Sequence, residues 1–323
     1  MNWTSTIPIF IWLAITILFT ILLWTNPPKD KLTGILAALV YTLFNLLCYW
    51  VINWAMLYYY LRFLAIILIV VVDYHLYSRT RKKPFKPVWT TAKIVSVVLL
   101  SLALVSLGFL DYKVSLSFRH SGDHVLTFFP LRNGLYVIVN GGNGVIGTGL
   151  NTQDNPWPGT NEEPDPSMAL GFDVMEINIG GTFGDGLFRS SRLDYLGFPE
   201  QVYAPCVGPV LHVEDGHPDL DISETGPKLG NYLVIQCGEY YVTLGSLRRN
   251  SILVKEGEVL RLNMMIAQVG SSGSPAIPHL HMHATAGSWK EGEGTPIPII
   301  CETNFALNNW VVRNELLLRS SGN

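Results

Sequence analysis

The sequence predicts a chain in two parts of different fold class: a membrane α-helical N-terminal part with four transmembrane helices, and an all-β C-terminal domain. Of its 323 residues, 49% are hydrophobic and only 15% are charged, which is too apolar for an ordinary soluble protein of this length. The apolar residues are concentrated before Asp111, and short segments separated by Gly, Pro and Asn follow, as in β domains. We therefore predict a transmembrane region at 1–111 and a β domain at 112–323.

Four apolar runs in the first part each come near the ~20 residues that a helix needs to cross a bilayer. They are residues 7–24, 35–54, 57–77 and 94–110. No positive residue precedes the first run and no small-residue cleavage motif follows it, so we interpret it as a retained helix and not as a signal peptide. All four runs are predicted to span the membrane.

The basic residues of the first part predict its orientation. Segment 78–93 contains six Lys and Arg residues and no acidic residue. Positively charged loops stay on the cytoplasmic side, so both termini and the β domain are predicted to lie outside the cytoplasmic membrane. The formal net charge of −3 provides no basic surface, and we therefore exclude nucleic acid as a partner.

Seven segments after Asp111 have the composition and alternation of β-strands. They are residues 134–139, 173–178, 201–213, 231–237, 239–244, 259–269 and 278–284. Turn residues separate nearly all of them, and no long amphipathic helical pattern interrupts the series. This order of elements predicts an antiparallel β architecture.

The four cysteines do not have the pattern of a disulfide framework. Cys48 lies in an apolar run, and the other three, Cys206, Cys237 and Cys301, lie in the β domain. A bond between Cys206 and Cys237 could form if their strands are neighbours and the compartment is oxidising. Buried free thiols are the interpretation that the sequence favours.

A run of alternating histidines is the strongest chemical signal in the chain. On an extended strand, His279, His281 and His283 lie on one face, and Leu280 and Met282 lie on the other. Three imidazoles on one face point to metal chemistry. A metal site also needs ligands from other segments, so the rest of the chain decides whether one exists.

An ordered set of short motifs resembles one known family, the lysostaphin/LytM-like zinc metallopeptidases of peptidase family M23. The motifs are Pro130-Leu131-Arg132, Gly141-Gly142, Gly171-Phe172-Asp173, Tyr203-Ala204-Pro205, Gly208-Pro209-Val210, Gly230-Asn231, Gly245-Ser246-Leu247, Gly270-Ser271-Ser272-Gly273 and Pro278-His279-Leu280-His281. The resemblance covers about 129–300. It implies an antiparallel β sandwich whose groove holds one zinc ion and cleaves peptides of peptidoglycan or similar glycine-containing substrates.

The resemblance implies three zinc ligands. Asp173 and His281 stand at two of these positions. The third should be a histidine four residues before Asp173, where Ala169 stands, or in an Asn-x-His arrangement that ends at Gln153. No histidine occurs between His124 and Asp173. Alanine has no donor atom and a glutamine carbonyl is a poor zinc ligand, so the first ligand is predicted to be lost.

The catalytic histidines that the resemblance implies are only half retained. His279 matches one of them, but Ser246 stands at the position of the other. A serine hydroxyl can donate a hydrogen bond but does not titrate near neutral pH, so it replaces only part of a general acid/base role. Ser246, His279 and Asp173 also have the residue types of a hydrolase triad, but no Gly-x-Ser-x-Gly motif surrounds Ser246, and we interpret this as coincidence.

Substitute metal ligands could come from three other histidines. His283 is separated from His281 by roughly 6.6 Å along a strand, so the two share an ion only if their side chains incline toward each other. His212 and His217 lie in segment 211–222, which we predict to be a loop. The carboxylates of that loop lack the spacing of an EF-hand and are interpreted as solvated surface.

These observations predict a membrane-anchored M23-like domain that is catalytically degenerate. It would bind a cell-wall peptide or a protein partner as a scaffold or regulator. The enzyme alternative is a zinc-dependent endopeptidase acting on peptidoglycan or glycine-containing peptides. A second alternative is a structural subunit of a larger membrane complex. Zinc is the one cofactor that the resemblance implies.

Overall fold

The computed structural model describes residues 3–85, 88–119, 122–143, 151, 165–184, 191–222, 224, 226–274, 276–302 and 311–318. The chain divides into two compact units. The helical unit comprises Trp3–Trp54 and Tyr59–Ser115, and the β-rich unit comprises Leu116–Asn323 with the short segment Ala55–Tyr58. Gln153, one of the two predicted positions of the lost ligand, lies outside the described residues.

Four helices form the helical unit, as predicted. They are α1 (Trp3–Thr25), α2 (Lys31–Val51), α3 (Arg62–Thr80) and α4 (Thr91–Leu116). All four are long and apolar enough to cross a membrane. The connection from α2 to α3 is built from two short 3₁₀ turns, Trp54–Met56 and Tyr59–Leu61.

Polar side chains within the helical unit pair with one another. Trp12 Nε1 donates to Asn45 Oδ1 at 2.9 Å, and Thr42 Oγ1 donates to Asp73 Oδ2 at 2.7 Å. Asp30 caps α2 by accepting a hydrogen bond from the Thr33 amide. Because an unpaired polar group is costly among apolar helices, these pairs hold specific helix faces together.

The described part of the β-rich unit contains thirteen strands. They are β1 (Val125–Phe128), β2 (Leu135–Asn140), β3 (Phe172–Ile177), β4 (Gln201–Tyr203), β5 (Gly208–Glu214), β6 (Asn231–Cys237), β7 (Tyr240–Leu247), β8 (Val259–Leu260), β9 (Met265–Gln268), β10 (Leu280–Ala286), β11 (Thr295–Pro296), β12 (Ile299–Glu302) and β13 (Leu316–Leu318). Nine of them form one antiparallel sheet in the order β13-β2-β3-β10-β7-β6-β5-β8, with β11 beside β10. β4 pairs with β9, and β1 pairs with β12 in parallel. The region is therefore mostly antiparallel, as predicted, with one parallel pair.

Two predicted strands are each divided in two. Segment 201–213 forms β4 and β5, which belong to different sheets, because the chain changes sheets at Ala204-Pro205-Cys206 and a proline cannot donate to a ladder. Segment 259–269 forms β8 and β9, and Asn263 between them has φ of +65°, a turn conformation that asparagine tolerates. His212 lies within β5, as the strand prediction for 201–213 has it, so the overlapping prediction that 211–222 is a loop was wrong for this residue.

The histidine strand is β10, and its alternation is as predicted. Leu280 and Met282 are fully buried in the main hydrophobic core, beside Phe172 and Val174 of β3 and Leu244 of β7. Burying side chains of this size stabilises the fold by about 1.5–3 kcal/mol each. This packing fixes the register of β10 and therefore the face on which the histidines lie.

The preference for free thiols at Cys206 and Cys237 was wrong. The two residues form a disulfide, with their Cα atoms 5.8 Å apart. Cys206 precedes β5 and Cys237 ends β6, and these two strands are antiparallel neighbours. Among the described residues, Cys48 and Cys301 take part in no disulfide.

Candidate functional site: a buried histidine cluster

Three neighbouring strands bring the predicted site residues together. In their register, His281 of β10 lies opposite Asp173 of β3 on one side and Gly245 of β7 on the other. Ser246 follows Gly245, and His279 lies immediately before β10. We call Asp173, Ser246, His279, His281 and His283 the histidine cluster. All five side chains are buried.

Donors from two neighbouring strands hold the carboxylate of Asp173. His281 Nδ1 lies 2.8 Å from Oδ1, and Asn140 Nδ2 donates to Oδ2 at 3.2 Å. Burial alone would raise the pKa of the Asp173 carboxyl, but the hydrogen bond from His281 and the nearby histidine rings outweigh it, so the pKa lies below its ordinary value. Asp173 is therefore ionised at neutral pH, and His281 carries a proton on Nδ1.

His279 is held between a backbone carbonyl and the Ser246 hydroxyl. Its Nδ1 lies 2.6 Å from the Ile277 carbonyl oxygen, which can only accept, so Nδ1 carries the proton. Its Nε2 lies 3.0 Å from Ser246 Oγ and, in the neutral ring, accepts the hydroxyl hydrogen. Ser246 has φ of +60° and is fully buried. This serine therefore holds the imidazole in place and does not face solvent as a nucleophile would.

His281 and His283 incline toward each other and are directly hydrogen-bonded. Nε2 of His281 lies 2.9 Å from Nδ1 of His283. Because Nδ1 of His281 donates to Asp173, the neutral His281 ring has its lone pair at Nε2, and His283 donates from Nδ1. Burial is the main cause that holds the pKa of His283 well below its ordinary value, so this ring is neutral near pH 7.

A buried arginine adds positive charge beside Asp173. Arg313 is 6% exposed, and its Nη2 donates to Asn140 Oδ1 at 3.1 Å, while Asn140 donates in turn to Asp173. Burial lowers the pKa of Arg313 to about 10, and the charge of Asp173 opposes that shift. The guanidinium therefore remains charged at neutral pH. Sequence reasoning missed both Asn140 and Arg313, and Arg313 lies beyond the region of the family resemblance.

The described residues do not fit a resident zinc ion. Asp173 and His281 face each other through atoms that could both bind a metal, but Ala169 offers no side-chain donor. His283 contacts the opposite nitrogen of His281, so it cannot complete a ligand set on the Asp173 side. Among the residues that the structure describes, no group of three His, Cys, Asp or Glu side chains could hold a metal ion.

The other predicted substitutes have partners of their own. His212 lies with Nδ1 3.0 Å from Glu256 Oε1, and its ring stacks on Trp289. His217 Nε2 lies 3.3 Å from Glu214 Oε1. Both imidazoles are thus engaged outside the histidine cluster.

Comparison with known proteins finds matches only among solved structures. No protein-family model and no curated protein matches the sequence. A zinc-containing peptidase from Vibrio cholerae is similar at 20% identity over 54% of this chain, with a TM-score of 0.32. The pore-forming SpoIIQ–SpoIIIAH complex is similar at 14% identity over 54% of this chain and 95% of that chain, with a TM-score of 0.34. The catalytic domain of lysostaphin from Staphylococcus simulans is similar at 19% identity over 41% of this chain and 74% of that chain, with a TM-score of 0.25.

Lysostaphin is the kind of protein that the sequence motifs resemble, and it is among these matches. The region similar to the Vibrio cholerae peptidase spans only 39% of that peptidase's length. At such low identities and TM-scores, the likeness concerns the fold alone and gives this chain no activity, metal or partner.

Proposed function

We propose that this chain is a membrane-anchored M23-like domain that binds a cell-wall peptide or a protein partner without cleaving it. In this proposal, 1–111 is the transmembrane anchor and 112–323 is an extracytoplasmic β domain of the LytM sandwich type. The histidine cluster is the remnant of a peptidase site. The protein acts as a scaffold or regulator.

The observation that carries this proposal is the way in which Asp173 is satisfied. A zinc peptidase needs a carboxylate, two histidines and an open position for water. Here protein groups, His281 and Asn140, bind the two oxygens of Asp173, and Arg313 lies behind Asn140. The positive charge that a metal would supply is thus available from a fixed side chain.

The neighbouring acid/base groups support the same conclusion. His279 is tied to the Ile277 carbonyl and to Ser246, and both of these partners are buried. A general base must reach the proton that it abstracts from a bound water or substrate. The exposed fraction of His279 is 4%, which leaves little access for either.

The test combines binding and cleavage on the same sample. The purified full chain is mixed with isolated peptidoglycan sacculi, and sedimentation measures binding while amino-group labelling measures new peptide ends. We expect retention with the sacculi, or with a stoichiometric protein partner after mild detergent extraction, and no new amino groups. Cleavage that is present in the natural protein and lost in His281→Ala would establish the endopeptidase alternative instead.

A further inference from the structure

Basic residues gather on the connections at one end of the helical unit. One connection, 26–30, joins α1 to α2, and the other, 81–90, joins α3 to α4. The described residues of these connections and of the last turn of α3 include five exposed basic side chains: Lys29, Arg79, Arg81, Lys82 and Lys83. We call these five residues the basic patch.

Backbone contacts join the two connections into one surface. The amide of Lys31 donates to the Pro84 carbonyl oxygen at 2.9 Å, and the next residue along each segment repeats this bond at 3.3 Å. Gly34, in the first turn of α2, lies so close to Thr80 at the end of α3 that a Cβ would come within 2.8 Å of Thr80 Cγ2. The basic residues of both connections therefore lie on the same end of a packed helix pair.

The one carboxylate in these segments is already engaged. No acidic residue other than Asp30 occurs in 25–34 or 78–93. Asp30 is 3% exposed, its Oδ1 accepts from the amide and the hydroxyl of Thr33, each at 2.9 Å, and its Oδ2 pairs with Lys93. Within the described residues, no side chain of the basic patch forms an ion pair. The charge of the patch is thus not balanced by the described part of the chain.

Exposed tryptophans flank the basic patch. Trp24, near the end of α1, is 50% exposed, and Trp89, just before α4, is 56% exposed. Tryptophan rings concentrate at the level of the lipid headgroups, and Lys and Arg side chains extend to the same level while their stems contact apolar surface. The candidate spans end at Thr25 and Thr80 on this side. In a bilayer, the basic patch therefore lies at the level of the lipid phosphates.

The helix surfaces beside the patch are apolar and exposed. Ile21 and Leu22 of α1 and Tyr77 of α3 lie within a few residues of these helix ends and are exposed. A ligand that matches both features has a negatively charged head and long apolar chains. Guanidinium and ammonium groups both bind phosphate oxygens through charged hydrogen bonds. A zwitterionic lipid has the same phosphate and chains, but its own cation offsets the negative charge.

We propose that the basic patch binds the headgroups of anionic phospholipids in the adjoining leaflet and so selects the lipids around the helical unit. The arginine and lysine side chains donate to the lipid phosphates, and the acyl chains lie along the exposed apolar residues of α1 and α3. The inference rests on the proposed function only in taking 1–111 as a membrane anchor. It holds whichever side of the membrane the patch faces.

The test compares two lipids that differ only in the headgroup. Phosphatidylglycerol and phosphatidylcholine with identical acyl chains are titrated into the full chain in detergent micelles, and native mass spectrometry measures the retention of each. Each Lys or Arg beside an anionic lipid surface strengthens binding about fivefold, so two such contacts give phosphatidylglycerol a preference on the order of 25-fold. Glycerol 3-phosphate at equal concentration has the anionic head without the acyl chains and should not displace the lipid.

Variants of exposed residues locate the site. Arg81→Gln/Lys82→Gln/Lys83→Gln should lower the preference by about tenfold or more, because it removes three of the five charges. The matched control is Arg249→Gln/Lys255→Gln/Arg261→Gln, which removes three exposed basic residues of the β-rich unit and the same net charge. This control should keep the preference of the natural protein. Lys29→Gln/Arg79→Gln is a second patch variant and decides the question if the triple variant fails to fold.

Three results would overturn the inference: equal retention of both lipids by the natural protein, a preference that falls as much in the control as in the patch variants, or displacement of the lipid by glycerol 3-phosphate. A failed anchor gives a different result. Retention of neither lipid would refute the membrane anchor of the proposed function, whereas equal retention of both refutes the lipid preference alone. The sacculus assay tests the β-rich unit independently of either result.

Discussion

Replacement of Arg313 by methionine tests whether a buried guanidinium balances the charge of Asp173. Methionine keeps most of the length of the side chain and removes its charge and its donors. Arg313 is 6% exposed and Asp173 is 8% exposed, so the change removes the arginine from beside a buried carboxylate. It also removes the hydrogen bond that Arg313 Nη2 donates to Asn140 Oδ1 at 3.1 Å. Leaving a buried acceptor without its charged donor costs about 1–3 kcal/mol.

This loss of free energy should appear as a lower melting temperature of the β-rich unit. For a domain of this size, the melting temperature falls by roughly 2–4 °C per kcal/mol of unfolding free energy lost, so we expect a fall on the order of 5 °C for Arg313→Met. Near-UV circular dichroism of the full chain in mild detergent follows the transition. Arg261→Met, at an exposed position, is the matched control and should melt with the natural protein.

The double variant Asp173→Asn/Arg313→Met sharpens the test. Without the carboxylate charge, the arginine no longer stabilises a buried anion. The double variant should therefore lose less free energy of unfolding than the sum of the losses in the two single variants. Full additivity of the two changes, or an Arg313→Met protein that melts with Arg261→Met, would refute the charge-balance reasoning.

Three other predictions concern pH, the disulfide and the orientation. Burial, and secondarily the charge of Glu200, raises the pKa of Glu176 to about 7. The protonated side chain therefore contributes fully to the free energy of unfolding below its ordinary pKa of 4.5, and this contribution is lost as pH rises through 7. Glu176→Gln should therefore stabilise the protein by about 1–3 kcal/mol at pH 8 and have little effect at pH 4, measured by melting with Glu239→Gln as control; equal effects at both pH values would contradict this. The Cys206–Cys237 bond links residues 31 apart, and its reduction should lower the free energy of unfolding by about 3–4 kcal/mol, measured by denaturant titration. An unchanged denaturation midpoint after reduction would contradict this prediction. In intact cells a membrane-impermeant maleimide should label Lys255→Cys and not Lys82→Cys, and the opposite pattern would reverse the proposed orientation.

The local part of the histidine cluster was predictable because it depends on alternation along one strand. His279, His281 and His283 face away from Leu280 and Met282, as two-residue periodicity requires. The four apolar helices were predictable for a similar reason, since length and composition decide them.

The long-range part was not predictable from one sequence. Asn140 reaches Asp173 across 33 residues of sequence, and Arg313 reaches Asn140 across 173. Neither residue has a local pattern that marks it. The disulfide was misjudged for the same reason, because the pairing of β5 with β6 decides whether Cys206 and Cys237 meet. Polar contacts between distant segments depend on sheet order, which alternation does not specify.

The metal content of the purified full chain tests the central claim most directly. The protein is dialysed against trace zinc, and elemental mass spectrometry compares it with His281→Ala. We predict that both proteins hold the same small fraction of a zinc ion per chain, because no third ligand joins Asp173 and His281 among the described residues and Arg313 supplies positive charge. Near-stoichiometric zinc in the natural protein that disappears in His281→Ala would contradict the account and favour an active peptidase.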